Sequence, residues 1–101
     1  MIHVIATVRI EAGKVSEFID IFKGNVPSVL QEKGCVEYLP AVDVDAGRAP
    51  QKLDKNVVTV IEKWESLEAL HAHFQSPHMV AYREKVKDIV EDVSLKVLRE
   101  A

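Results

Sequence analysis

The sequence predicts one α+β domain spanning residues 1–101, a split β-α-β unit with a four-stranded antiparallel sheet. Three observations predict it. Apolar residues alternate with period two over residues 2–10, 35–44, 57–65 and 93–99, the mark of strands. Helical periodicity fills the gaps at 15–30 and after Ser66. A chain of 101 residues has room for one core and no second domain.

Strand 1 sets Ile2, Val4, Ala6, Val8 and Ile10 against His3, Ile5, Thr7 and Arg9. After a turn at Glu11-Ala12-Gly13, apolar residues at 15, 18, 19, 22, 26, 29 and 30 describe an amphipathic helix. Pro27 cannot donate to the Lys23 carbonyl, which predicts a kink or short break near Gly24-Asn25. Gly34 is a left-handed stop. Strand 2 follows, and Pro40 within it argues for a sheet edge. Residues 45–56 are polar, with Gly47 and Pro50, and read as a surface loop before strand 3. Ser66 caps a short helix carrying Leu67, Leu70 and Phe74. Ser76-Pro77 restarts a helix with Met79, Tyr82, Val86 and Ile89 on one stripe. Strand 4 closes the chain with Val93, Leu95 and Val97 on one face.

This order is the ferredoxin-like arrangement, and right-handed crossovers give the strand order 4-1-3-2 with helices on one face. Ile5, Leu39, Val57 and Ile61 then make the opposite face apolar too. A second copy of the same sheet is the simplest cover for it, so a homodimer is expected.

Composition narrows the partners. A net charge of −3 offers no field for a phosphate backbone or an anionic bilayer, which argues against nucleic acid and membrane. No apolar run approaches the ~20 residues that span a bilayer, and Met1-Ile2-His3-Val4 does not open like a signal peptide. A single cysteine, Cys35, fits a reducing cytoplasm.

Polar side chains suited to chemistry cluster between residues 62 and 82: Glu62, Trp64, His71, His73, His78 and Tyr82. Imidazole is the usual proton carrier near neutral pH. Helical phase puts His71, Phe74 and His78 on one side, with His73 roughly 200° from His71, although the break at Ser76-Pro77 gives the second helix freedom to turn. The simpler reading is that one or two of these histidines are solvated surface groups, His71 first among them. Zinc fails on spacing, for there is no H-E-x-x-H and His71-x-His73 diverges on a helix. Cys35 has no basic neighbour to activate it and reads as a small apolar residue. Trp64 and Tyr38 can serve as core or as pocket wall. Glu62 shares a face with Val58, Val60 and Trp64, so it is expected to be partly buried, with a raised pKa or a partner such as a histidine. The four glycines are too scattered for a nucleotide loop.

Four stretches together resemble the antibiotic-biosynthesis monooxygenase superfamily, and within it the bacterial quinol monooxygenases. They are Ile5-Ala6 through Gly13, Glu32-Lys33-Gly34-Cys35 with Tyr38, Ile61-Glu62-Lys63-Trp64-Glu65-Ser66, and Ala72-His73-Phe74-Gln75-Ser76-Pro77-His78-Met79 with Ala81-Tyr82. The resemblance implies a dimeric α/β-barrel of ferredoxin-like protomers with no metal or organic cofactor. Its members oxidise electron-rich phenols, quinols or anthrones directly with O2, the substrate acting as reductant. Carried onto this sequence, it implies His73 or His78 as the base and Glu62 orienting a histidine. Tyr38, Trp64, Phe74 and Tyr82 would wall a slot for a flat, quinol-like aromatic substrate.

His3 and His71 are ionisable groups beyond what the resemblance requires, and residues 45–56 share little with it. Haem-degrading relatives of the fold require an Asn, a Trp and an axial His where this chain has Ala6, His73 and Arg83. Two other functions compete. One is isomerisation of a small sugar-phosphate signal, with Arg83, Lys85 or Lys63 as the cationic group. The other is a ligand-binding or stress-response dimer without turnover.

Overall fold

The computed structural model describes residues 1–101. Its elements are β1 (Ile2–Ile10), α1 (Val15–Leu30), β2 (Cys35–Ala41), β3 (Val57–Trp64), α2 (Leu67–Gln75), α3 (Pro77–Val86) and β4 (Val90–Leu98). The strands form one antiparallel sheet in the order β2-β3-β1-β4, so Pro40 lies in an edge strand as its missing donor requires. The sheet of one chain is open.

Val4, Ala6, Val8 and Ile10 of β1 and Val58, Val60, Glu62 and Trp64 of β3 turn to the helices and are buried. Phe18, Phe22 and Val29 of α1, Leu70 of α2, and Met79 and Val86 of α3 meet them. On the other face a cross-strand row runs Leu39, Ile61, Ile5, Lys96, with no helix above it.

Several element ends differ from expectation. The third helix stops at Val86, and the Ile89 N–H donates to the Val86 carbonyl in a turn, so β4 starts at Val90 instead of 93. β2 ends at Ala41, short of 44, because Val42–Asp45 find no ladder partner. α1 passes through Pro27 without a break. Pro27 and Lys23 both face solvent, where water can satisfy the freed carbonyl, while Phe22, Val26 and Val29 hold the opposite side to the core.

Gly34 carries a constraint that Gly13 does not. Both have φ of +85°, but a Cβ on Gly34 would stand 2.6 Å from the Ala69 Cβ, whereas Gly13 has nothing within 4 Å. Gly13→Ala is expected to cost about 1–2 kcal/mol from backbone strain alone. Gly34→Ala adds a clash with α2 and is expected to cost about 2–4 kcal/mol. Urea unfolding of the two variants checks this, and equal losses would remove the packing role of Gly34.

Candidate active site

The site is assembled by the turn after α1, by β2 and β3, and by the joint between α2 and α3. Ser66 caps α2, its Oγ accepting from the Ala69 N–H at 3.1 Å. At Ser76 the backbone becomes extended (φ −65°, ψ 146°) and Pro77 starts α3 in a new direction. That bend undoes the helical-phase expectation. His71 is left exposed, while His73 and His78 converge on one oxygen of Glu32.

His73 is 1% exposed and its Nδ1 lies 2.8 Å from Glu32 Oε2. His78 Nε2 lies 2.7 Å from the same oxygen and 3.1 Å from the Ser76 hydroxyl, which itself donates to the His73 carbonyl at 2.9 Å. Glu32 is only 12% exposed, so both contacts sit in a largely dry place. Burial pushes the His73 pKa down, against the raising effect of its bond to Glu32. The ring is therefore neutral at pH 7. With a carboxylate on Nδ1, the proton sits on that nitrogen and leaves the lone pair on Nε2. Nε2 bonds no protein group, and no buried side-chain nitrogen in the chain lacks a partner, so Nε2 is the atom that reaches open space.

That space is a cavity of about 420 Å³ between sheet and helices, a size usual for small-molecule sites. Twelve of its 16 lining residues are hydrophobic. Four of the sequence candidates besides His73 line it: Tyr38, Glu62, Phe74 and Tyr82. Phe22 joins them, stacked on Tyr38 with ring centres 5.1 Å apart and edge-on to Tyr82 at 5.9 Å.

Trp64 does not line the cavity. It is fully buried behind His73, ring centres 4.7 Å apart, where its π-face favours the imidazolium over the neutral ring. His78 does not line it either. It borders a separate groove between α1 and α3 with Asn25, Ser28 and Lys85.

Glu62 bonds differently from its expected part. Its Oε1 accepts from the Trp64 indole N–H at 2.9 Å, and it makes no hydrogen bond to a histidine. The carboxylate that orients the histidines is Glu32, 41 residues before His73 in sequence. Burial raises the Glu62 pKa from 4.5 to about 7, the Trp64 bond opposing. Burial likewise raises the Tyr38 and Tyr82 pKa values, which keeps both phenols protonated.

The sign for stability is definite. Between pH 4.5 and 7 the folded chain holds a proton on Glu62 that the unfolded chain has lost, so this group's contribution falls as pH rises through that window. Glu62→Gln keeps the acceptor for Trp64 and removes the buried charge. It is expected to stabilise the protein by about 1–3 kcal/mol at pH 8 and by almost nothing at pH 4.5. Denaturant unfolding at both pH values checks this, and an equal effect at the two would show that Glu62 is not held above its ordinary pKa.

Of the cations considered for a phosphate, Arg83 lines the cavity, Lys85 borders the outer groove, and Lys63 lies on the helix-free face opposite His3. Cys35 is half-buried, and burial raises its thiol pKa to about 11, which suits a packing residue better than a nucleophile. No three His, Cys, Asp or Glu side chains are arranged to hold a metal ion. No helix is long and apolar enough to cross a membrane.

A four-stranded antiparallel split β-α-β sheet backed by three helices, with an apolar cavity between the layers, defines an α+β protein of the ferredoxin-like class. Residues 1–85 match the family model for antibiotic biosynthesis monooxygenase, and the chain belongs to that family. It is 41% identical over 101 residues to the "Probable quinol monooxygenase YgiN" of Escherichia coli K12, covering 98% of this chain and 97% of that one. Among solved structures, a conserved protein from Methanosarcina mazei superposes with a TM-score of 0.84 at 21% identity, covering 99% of this chain and 92% of that one. A candidate antibiotic biosynthesis monooxygenase from Nitrosomonas europaea gives 0.84 at 17% identity, covering 99% and 98%. These two likenesses speak for the fold.

Proposed function

We propose that the chain is a cofactor-independent monooxygenase that oxidises a quinol or related polyphenol with O2, with His73 as the general base. The observation that carries the reading is the free Nε2 of a buried, neutral His73 facing an apolar cavity while Glu32 holds its Nδ1–H. The identity to a protein named as a quinol monooxygenase supports the substrate class.

A flat ring enters between Tyr38, Phe22, Phe74 and Tyr82 and sets one hydroxyl against Nε2. His73 takes the proton, and Glu32 and the Trp64 face stabilise the imidazolium. The quinolate passes one electron to O2, giving a semiquinone and superoxide, which join in a carbon–oxygen bond. Loss of water from the resulting hydroperoxide leaves one oxygen atom on the ring. The sum is quinol plus O2 giving hydroxyquinone plus water, balanced without another reductant. The apolar lining shields the radical pair from bulk water.

The same lining argues against a sugar phosphate, whose hydroxyls would find few partners there. We place the enzyme in the cytoplasm, in keeping with its single free thiol. We also read it as a homodimer through the helix-free row Leu39, Ile61 and Ile5, two facing sheets giving a dimeric barrel. Ile61→Glu is expected to halve the mass seen by light scattering, and an unchanged mass would put the interface elsewhere.

The activity test is oxygen uptake with reduced naphthoquinol at pH 7. Uptake is expected to exceed autoxidation in proportion to protein, with one atom of labelled O2 in the product. Saturable binding without faster uptake would support the ligand-binding alternative and end this reading.

A further inference from the structure

The four polar residues lining the cavity divide by depth. Glu62 and His73 are buried at its inner end, while Arg83 and Lys87 are exposed. Val93 and Leu95 of β4 also line it and are about half exposed, so they and the two cations form the mouth. Arg83 is pinned there. Its Nη2 donates to the Phe74 carbonyl at 2.8 Å, and no carboxylate lies within 4.0 Å of it. Lys87 pairs with Glu84 at 2.6 Å on the exposed side.

From a guanidinium at the entrance a neutral ring gains a stacking contact or a single hydrogen bond, whereas a carboxylate can take the fork with two bonds and opposite charge. The planar fork has further N–H donors left, and a group already held by one bond loses less freedom in binding an anion. The inner end offers an anion no cation, its polar groups being the Glu62 carboxyl and the neutral His73 ring. From this we infer that the ring substrate carries an anionic arm, a carboxylate bound at the mouth by Arg83 with Lys87 beside it. The arm fixes which end of the ring enters, so the hydroxyl at the far end meets His73. This rests on the reading of the cavity as a quinol site.

The test uses 6-hydroxy-2-naphthoate and 2-naphthol, which share a ring and an inward hydroxyl and differ in the carboxylate. Calorimetric titration at pH 7 and low salt is expected to show the naphthoate binding roughly 5–20-fold more tightly, the modest range reflecting the exposed position. The ratio is expected to shrink in 0.5 M NaCl, to collapse towards one in Arg83→Gln, and to survive in part in Arg83→Lys. A matching thermal melt shows that Arg83→Gln is folded. Equal affinities in the parent protein, or a ratio indifferent to Arg83→Gln, would overturn the inference. Oxygen uptake with naphthoquinol, with and without a ring carboxylate, separates the two readings. Turnover of both quinols at equal kcat/KM removes the anionic arm alone. The expected binding ratio without turnover of either keeps the anion subsite and removes the oxidation.

Discussion

His73→Gln is expected to lower quinol-dependent kcat by roughly 10²–10⁴-fold while moving KM little. Glutamine nearly fills the space of imidazole and can still donate to Glu32 Oε2, so the cavity keeps its shape and loses the proposed base. His78→Gln serves as the comparison. His78 contacts the same Glu32 oxygen but lies outside the cavity, 27% exposed on the groove between α1 and α3, and its loss is expected to cost less than about tenfold. Initial rates of oxygen uptake, corrected for autoxidation, check the pair. Because burial holds the His73 pKa below its ordinary value, the wild-type enzyme is expected to keep its activity as pH falls to 6.5 and to lose it only below. Its contribution to stability runs the same way: the unfolded chain binds a proton on His73 more readily, so stability is lost as pH falls from 6.5 towards the folded value.

The second large effect belongs to Glu32. Glu32→Ala leaves the buried His73 Nδ1–H without an acceptor and frees His78 from its anchor, and is expected to cost about 2–4 kcal/mol of stability along with most of the activity. Glu32→Gln separates the two losses. The amide can offer a donor to Nδ1, which permits the tautomer with its proton on Nε2, and that ring is no base towards a hydroxyl. Activity is expected to fall about 10²–10³-fold while stability falls by only about 1 kcal/mol. Unfolding curves read beside kcat values check this. Parallel losses in both variants would make Glu32 a structural residue only.

Much of this site was legible in the sequence, and the misses have physical causes. Strand alternation put Glu62 on a face with Val58, Val60 and Trp64 and left Tyr38 as core or pocket wall, and their cross-strand pairing sets the two side by side in the wall of the cavity. The strand order followed from right-handed crossovers, and Pro40 fell at the edge as a missing donor demands. Glu32 had no such signal. It belongs to no periodic element, and its role arises from a contact across 41 residues. Its signs were its place in the family-like stretch Glu32-Lys33-Gly34-Cys35, which carried no role for it, and its position two residues before Gly34, whose positive φ fixes the turn against Ala69.

The histidine phase failed for a different reason. Helical spacing grouped His71 with His78, but the extended Ser76 re-aimed α3 and made His73 the partner instead. Glu62 was expected to be buried with a raised pKa, and it is. Its partner, Trp64, sits two residues away on the same strand face, closer at hand than any histidine.

Proton transfer from the bound ring to His73 is the proposed step on which the rest depends, and the pH profile of turnover reads it. With wild-type protein, kcat/KM for naphthoquinol, corrected for autoxidation, is expected to fall tenfold per pH unit once pH drops below an ionisation lying under 6.5. His73→Gln is expected to bind the quinol and to show a low rate that lacks this ionisation. The same rate and the same ionisation in both proteins would contradict the account.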